Sequence, residues 1–397
     1  MDYDVIIVGA GPAGNMTAKV CAQKGLKTLV LEKDNAIGEP KRCAEGISVH
    51  GFERVGLKPN KKFICQEIDG ATLWSPSNKS VDMKNADTRG YVLERKVFEK
   101  HLAKDAIKAG ADYMVRTTVT SLLEKDGKPA GVAAEFLGEK MEFEAPLIIG
   151  ADGVESQVGK MAGLRTNVPF KDYISGFQYE MAGIKNLSDK RIHLWFGNDI
   201  APKGYMWVFP KGNDLANVGI GIIGPSNETM SARKYLENFI KNNPQWFSNA
   251  SPVEVNAGGV PVSAYMEDPF VVDNLMLVGD AAQQVNPIHG GGMSTNLYAA
   301  QICGRVAAEA IDSGDLSAKK LSEYEREWKE TDGVRMQKLL KLRYFLEKLE
   351  DKDFEYFAEV ITSDELDDMQ KGKTGFLLKK LATKPSLLRY AMQYIRA

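Results

Sequence analysis

Cysteine, excess charge of either sign and long apolar runs are all scarce in this chain of 397 residues. Its four cysteines are scattered and form no CxxC pair or Cys/His cluster, so we expect neither a disulfide framework nor a metal site. The 51 basic and 53 acidic residues nearly cancel, which argues against nucleic acid as a partner. No apolar run approaches the ~20 residues that span a bilayer, and the first residues lead into a strand without a signal peptide. We therefore expect an intracellular, cytoplasmic protein that does not cross a membrane.

The chain begins with the pattern of a Rossmann-type βαβ unit. Residues 3–8 are mainly β-branched and apolar, as in a buried parallel strand, and a helical stretch and a second strand follow them. Gly9, Gly11 and Gly14 have the GxGxxG spacing, which allows a tight turn, approach of the backbone to a pyrophosphate, and close packing of the helix on the strand. Glu32 ends the second strand, where its carboxylate can accept ribose hydroxyls. This context predicts a dinucleotide site but does not distinguish FAD from NAD.

Later segments predict that distant parts of the chain complete this nucleotide-binding sheet. Buried strands are expected over 146–150 and 275–278, helices over 95–109 and 293–312, and a strand-rich region over 174–262. The pattern after residue 316 is helical. We therefore predict an α/β fold (α+β overall) in three parts. The first part is a discontinuous nucleotide-binding domain over residues 1–170 and 265–315, in which small strands of its neighbour are inserted. The second is an antiparallel-sheet substrate domain over residues 171–264, and the third is a C-terminal helical region over residues 316–397.

Further motifs resemble those of a known superfamily of flavoproteins. The segment Ala151-Asp152-Gly153 resembles the DG motif of the p-hydroxybenzoate hydroxylase superfamily, and Leu277 to Ala282 with the later Gly290-Gly291-Gly292 resembles its GD motif. Within that superfamily, the loop from Glu39 to Ile47 resembles the cysteine-bearing loop of the geranylgeranyl reductases. The segment Tyr205 to Pro210, followed by two spaced glycines, resembles their YxWxFP…GxG signature. The resemblance covers nearly the whole chain and is looser beyond about residue 320.

This resemblance implies FAD as the cofactor and a position for each matching residue. The glycine loop and Glu32 would bind the ADP half, the Cys43 loop would lie along the flavin, and Asp280 would hold the ribityl chain. The positive end of the helix starting at Met293 would face the pyrimidine end of the ring, which is anionic when reduced. The implied cofactor-binding residues are Gly9, Gly11, Ala13, Gly14, Glu32, Cys43, Ala44, Gly46, Arg95, Val119, Asp280, Gly292 and Met293.

The alternation of Tyr205, Trp207 and Phe209 places these aromatic side chains on one face of a strand. In an unknown fold such a face would be core packing, whereas the resemblance implies that it lines a substrate cavity suited to polyprenyl chains. The implied reaction is reduction of C=C bonds in geranylgeranyl chains of archaeal-type phospholipid precursors, with hydride from N5 of reduced FAD and a proton from an acid. Candidate catalytic proton sources are Cys43, Tyr205, His289 or an ordered water, although His289 could equally be an ordinary loop residue.

Two other functions and two questions about partners remain open at this point. The fold would also suit an aromatic monooxygenase or a flavin electron carrier without substrate chemistry of its own. The electron donor would be NAD(P)H or a ferredoxin-like carrier. Residues 371–397 carry seven basic residues and no acid, which is consistent with a solvated helical cap or with peripheral contact to an anionic membrane surface.

Overall fold

The computed structural model describes residues 2–83, 89–223, 230–370, 373, 375–376 and 380. Most of the basic segment 371–397 therefore lies outside the described residues. Within the described ranges, none of the helices combines the length and the apolar character that crossing a bilayer requires.

The strands of the described chain form four sheets. In chain order they are β1 Val5–Val8, β2 Thr28–Leu31, β3 Gly46–Ser48, β4 Ile64–Ile68, β5 Gly70–Trp74, β6 Ser80–Met83, β7 Gly90–Leu93, β8 Asp112–Met114, β9 Thr117–Lys125, β10 Lys128–Phe136, β11 Glu139–Glu144, β12 Leu147–Gly150, β13 Tyr173–Ala182, β14 Arg191–Trp195, β15 Tyr205–Gly212, β16 Leu215–Ile223, β17 Ser251–Pro261, β18 Val271–Val272 and β19 Leu275–Leu277.

The helices cover the sheets and make up the described part of the C-terminal region. They are α1 Pro12–Gln23, α2 Val49–Arg54, α3 Arg95–Ala109, α4 Gln157–Met161, α5 Ala232–Asn242, α6 Pro244–Phe247, α7 Met293–Ser313, α8 Ala318–Trp328, α9 Val334–Leu346, α10 Asp351–Val360 and α11 Ser363–Gln370, with a π-helical turn over Lys329–Gly333 between α8 and α9.

The first sheet is the nucleotide-binding sheet that the opening pattern predicts. Its order is β18-β19-β12-β1-β2-β8, and every pair is parallel except β18 with β19. The strands β1, β2 and β12 are fully buried, because α1, α3 and α7 supply the apolar cover that a parallel sheet requires. This arrangement brings the ends of β1, β2 and β19, which are far apart in sequence, to one edge of the sheet.

The seven-stranded sheet has the order β17-β13-β16-β15-β14-β5-β6 and is antiparallel except for β5 with β14. Its strands β5 and β6 come from the first hundred residues, so an early hairpin joins a sheet built mainly from later chain. The helices α5 and α6 pack on one face, where Met206 and Val208 of β15 are buried among Trp195, Leu236 and Trp246. The half-buried Tyr205, Trp207 and Phe209 occupy the opposite face, so they lie outside that core.

There are two small three-stranded sheets in the described chain: β11-β10-β9 contacts β12 and β2 of the nucleotide-binding sheet, and β3-β7-β4 contacts β15 of the seven-stranded sheet. The longer predicted elements agree with the structure: α3 has the expected bounds, and α7 ends one residue later than predicted. After residue 316 the described chain is helical, as predicted.

Candidate active site

In the first glycine loop, two of the three glycines have no room for a side chain and the third faces open space. Gly9 has a φ of +102°, and a Cβ there would lie 2.4 Å from the Ala151 carbonyl oxygen. A Cβ on Gly14 would lie 1.9 Å from the Gly9 carbonyl oxygen, whereas a Cβ on Gly11 would meet no described protein atom within 4 Å. The open space at Gly11 lies at the N-terminus of α1, where free N–H groups and the helix dipole favour a pyrophosphate.

Glu32 is held beside this loop at the end of β2. Its Oε2 accepts a hydrogen bond from the Ala10 N–H at 2.7 Å, and its Oε1 accepts one from the Asp34 N–H at 2.9 Å. The remaining lone pairs of the carboxylate can accept ribose hydroxyls. The Thr117 N–H donates to the Glu32 carbonyl oxygen at 2.7 Å, which places the start of β9, and Val119 two residues further on, near the same end of the site.

The opposite end of the site is formed by Asp280 and the start of α7. Asp280 Oδ1 accepts a hydrogen bond from Asn296 Nδ2 at 2.7 Å, and burial raises the pKa of this carboxyl while Asn296 and Arg95 oppose the rise. Asn296 Oδ1 is buried without a hydrogen-bond partner among the described residues. Among the residues that the structure describes, no side chain caps α7 at Gly292. A buried acceptor and uncapped N–H groups can bind a polar ligand, so the residues present fit the ribityl and pyrimidine parts of FAD.

The Cys43 loop is attached to the seven-stranded sheet through its backbone. The Cys43 carbonyl accepts a hydrogen bond from Gln178 Nε2 at 3.0 Å, and the Ala44 carbonyl accepts one from Asn217 Nδ2 at 3.2 Å. The Cys43 Sγ accepts the Glu45 N–H at 3.1 Å. Burial raises the pKa of the Cys43 thiol, and the Arg95 guanidinium opposes that rise. The Arg95 guanidinium therefore acts directly on the Cys43 thiol, while the contact of either residue with FAD stays a prediction.

The aromatic face of β15 contacts both the Cys43 loop and the second glycine run. The Tyr205 hydroxyl donates to the His289 carbonyl oxygen at 2.5 Å, next to Gly290. Trp207 Nε1 donates to Gln178 Oε1 at 2.8 Å, and a Cβ on Gly46 would lie 2.5 Å from the Phe209 ring. The structure thus brings Tyr205, the Cys43 loop and the loop before α7 together.

Tyr205 also lines an apolar cavity of about 160 Å³. Ile288, Trp74 and Phe196 contribute further apolar and aromatic surface. Helices α9 to α11 supply one wall, including Phe354, Phe357 and Ala358. Trp207 and Phe209 are not part of this wall; they pack beside Gly219 and Gly46 instead. Of the three predicted substrate-lining residues, Tyr205 therefore borders the cavity.

Sequence reasoning missed a group of buried charged residues behind the Cys43 loop. Lys41, Glu45 and Lys211 are each at most 5% exposed, and Lys211 Nζ lies 2.9 Å from Glu45 Oε2 and 2.9 Å from Glu180 Oε2. Lysine and glutamate are seldom fully buried, so nothing in their local sequence predicted this arrangement. The four cysteines are all free; Cys21 and Cys303 are buried on helices, as predicted.

The fold and this site define an FAD-dependent oxidoreductase. Residues 4–49 match an FAD binding domain, and residues 172–260 match the geranylgeranyl reductase catalytic domain. The chain belongs to the geranylgeranyl reductase family and groups with digeranylgeranylglycerophospholipid reductases along nearly its full length. The predicted family, fold class and FAD cofactor are therefore confirmed, while the roles of individual site residues stay predictions.

The similarity to individual relatives extends over whole chains. The chain is 42% identical over 390 residues to digeranylgeranylglycerophospholipid reductase from Methanocaldococcus jannaschii, covering 98% of this chain and 97% of the relative. It is 41% identical over 391 residues to the enzyme of that name from Methanothrix thermoacetophila, covering 98% of each. A geranylgeranyl bacteriochlorophyll reductase-like crystal structure from Thermoplasma acidophilum matches with a TM-score of 0.89 and 33% identity, over 97% of this chain and 99% of that one.

Proposed function

We propose that this protein is an FAD-dependent reductase that hydrogenates C=C bonds in the geranylgeranyl chains of archaeal-type membrane phospholipid precursors. The observation that carries the proposal is the apolar cavity lined by Tyr205, whose hydroxyl donates to the His289 carbonyl in the loop before α7. The names of the relatives supply the substrate class. A polyprenyl chain offers mainly CH contacts, and this cavity has a wall of aliphatic and aromatic side chains to match them.

Reduced FAD supplies a hydride from N5 when it is bound in this site. The task of the chain's own residues is to hold the alkene next to the cofactor and to exclude water. Leu346, Phe354 and Phe357 of the C-terminal helices, together with Phe196, would pack along the chain. Because an isolated alkene has no polar group to bind, its position would depend on the shape of this wall alone.

Among the candidate proton sources, the hydrogen bonds favour Cys43. Tyr205 directs its hydroxyl proton to the His289 carbonyl. The His289 imidazole accepts the Gly291 N–H through Nδ1 at 3.0 Å, and burial lowers its pKa to about 4, so at neutral pH it lacks the extra proton of an imidazolium. The Cys43 sulfur accepts an N–H, and as a thiol it also carries an S–H that can donate. Burial raises the pKa of Cys43, so the thiol keeps its proton at neutral pH.

An anaerobic single-turnover experiment tests the function. The FAD-loaded protein is reduced with dithionite and mixed with a geranylgeranyl phospholipid, and the product is analysed by mass spectrometry. We expect one H₂ to be added per double bond reduced, with reoxidation of the flavin. Cys43→Ser should slow the step, with Cys65→Ser as the matched thiol control. Hydroxylated product from NAD(P)H and O₂, without hydrogenation, would establish the monooxygenase alternative; flavin reduction without either product would establish the electron carrier.

Peripheral contact with an anionic membrane surface is part of this proposal, because a lipid substrate has to be collected from a bilayer. Its support is the basic composition of residues 371–397. Co-sedimentation with vesicles containing anionic lipid should be lost on truncation before Lys371, and equal binding of both forms would refute this contact. Reduction of the bound FAD by NADH, NADPH or a reduced ferredoxin, each assayed alone, would identify the donor class.

A further inference from the structure

The turn at Cys43 to Glu45 has a backbone conformation that its residue types do not favour. Glu45 has a φ of +71°, in the left-handed region that residues with a Cβ seldom adopt. This conformation directs the Glu45 N–H to the Cys43 Sγ, 3.1 Å away. A residue held in this region persists only where its surroundings over-determine its position. The contacts of Glu45 therefore control where the Cys43 sulfur lies.

The side chain of Glu45 is 0% exposed, and each of its four polar groups, the backbone N–H and carbonyl and the two carboxylate oxygens, forms a hydrogen bond within the protein. Its carbonyl accepts the Leu93 N–H at 2.9 Å, and its Oε1 accepts the Arg95 N–H at 2.7 Å, at the start of α3. Its Oε2 accepts from Asn217 Nδ2 at 2.7 Å and from Lys211 Nζ at 2.9 Å. Glu45 thus joins the cofactor-binding region to strands β15 and β16 of the other sheet.

The charges around Glu45 are balanced by further buried partners. We call Lys41, Glu45, Glu180 and Lys211 the Glu45 cluster; it holds two ammonium groups and two carboxylates. Lys41 contacts Glu180 and lies 3.4 Å from Glu45 Oε2, while Lys211 also binds Glu94 at 2.8 Å. Apolar residues of equal volume would support a loop at least as stably, so such a cluster is better explained by the fixed geometry that it imposes.

We propose that Glu45 is a positioning residue that fixes the Cys43 thiol at the FAD site by holding the turn of residues 43–45 against the seven-stranded sheet. This inference rests on the proposed function in so far as Cys43 acts at the flavin. Glu45 itself would touch neither FAD nor lipid. Its effect on catalysis would pass through the position of the sulfur.

The reactivity of the Cys43 thiol tests the inference independently of lipid chemistry. In an FAD-loaded Cys65→Ser background, the alkylation of Cys43 by iodoacetamide is followed by peptide mass spectrometry; Cys21 and Cys303 are fully buried and should stay unmodified. Glu45→Ala should raise the alkylation rate about tenfold, because release of the turn exposes the sulfur and loss of the Glu45 carboxylate lowers the thiol pKa, and the thiolate fraction grows tenfold for each pKa unit. Glu45→Gln removes the same charge, which raises the Cys43 pKa, but retains an oxygen for the Arg95 N–H, so it should give a smaller rise and folds more readily. An equal rise in both variants would assign the effect to the charge and overturn the inference.

Asp332→Asn provides the matched control. Asp332 is also a buried carboxylate, paired with Arg54 at 2.7 Å, but it lies outside the Glu45 cluster. This variant should lower the melting temperature without changing Cys43 alkylation. In lipid reduction, Glu45→Gln should lower kcat and leave KM unchanged, because the cavity wall is intact.

Each outcome separates this inference from the proposed function. A wild-type alkylation rate in both Glu45 variants would overturn the inference, as would an equal rise in Asp332→Asn, which would indicate general loosening. Failure of the wild-type protein to reduce any geranylgeranyl lipid would overturn the proposed function, while the alkylation result would still decide whether Glu45 positions the thiol.

Discussion

Two glycines in the first loop are required for different reasons, and alanine substitutions should separate them. A Cβ on Gly14 would meet backbone at 1.9 Å, so Gly14→Ala should destabilise the apoprotein by about 1–3 kcal/mol and abolish FAD binding. A Cβ on Gly11 enters free space, so Gly11→Ala should keep the apoprotein melting temperature and weaken FAD binding only. Melting curves measure the stability of each apoprotein, and FAD titrations measure its affinity for the cofactor. An unchanged FAD affinity in Gly11→Ala would show that the pyrophosphate does not lie there.

Glu180 should make the free energy of unfolding decrease as the pH falls into the acid range. Burial raises the pKa of its carboxyl, but the hydrogen bonds from Lys41 and Lys211 outweigh burial and lower the pKa overall. The folded state therefore binds fewer protons than the unfolded state, and the stabilisation present above the unfolded pKa of about 4.3 is lost as the pH falls through the folded value. Glu180→Gln should show a shallower loss of unfolding free energy below about pH 4.5 in urea titrations. The exposed Glu139→Gln should retain the wild-type slope.

Helix α10 contributes both a cavity wall and an exposed face, so its two faces should respond differently to substitution. Ala358 lines the cavity, whereas Glu359 is exposed and pairs with the exposed Lys79. Ala358→Phe would fill part of the space for a lipid chain and should lower kcat/KM about tenfold or more, since misfit in an apolar pocket costs about 1–3 kcal/mol. The control Glu359→Gln should leave kcat/KM unchanged. Equal kcat/KM for Ala358→Phe and wild type would place the lipid elsewhere.

The long helices and the short strands differ in how well the chain's local pattern predicts them. Helices α3 and α7 extend over 15 and 21 residues, and Gly110 and Gly314 end them in the left-handed conformation. Their periodicity and end signals are local. Strands β3 and β5 have three and five residues and pair with β7 and β14, which are well separated from them in sequence, and the four-residue β6 pairs with β5 at the edge of the sheet. Such short runs carry too little periodicity to be assigned without their partners.

At the level of the assembled chain, a buried arginine joins the C-terminal helices to the seven-stranded sheet. Arg343 of α9 donates to the Val262 carbonyl at 2.6 Å and pairs with Asp172 just before β13. Arg343→Met should cost about 3–5 kcal/mol of unfolding free energy, because Asp172 is left as a buried charge without its cation. Urea denaturation measures this loss. The control Arg233→Met removes an exposed helical pair and should cost about 0.3–0.5 kcal/mol.

A double variant checks the reason for that loss. Asp172→Asn combined with Arg343→Met removes both charges, so its cost should be well below the sum of the two single costs. Additive costs would contradict the pairing and would assign the effect of Arg343 to lost packing alone.

The ADP-binding end of the site, the family and the FAD cofactor could all be inferred from the amino-acid order. The glycine spacing, the acid after β2 and the cysteine loop are short contiguous motifs, and their geometry depends on neighbouring residues. The Glu45 cluster, the hairpin of β5 and β6 beside β14, and the cavity wall from α9 to α11 required the folded chain. Each depends on contacts between residues that are commonly more than a hundred positions apart, as in Lys211 with Glu45. Burial of lysine and glutamate is a property of such long-range contacts, which no local pattern encodes.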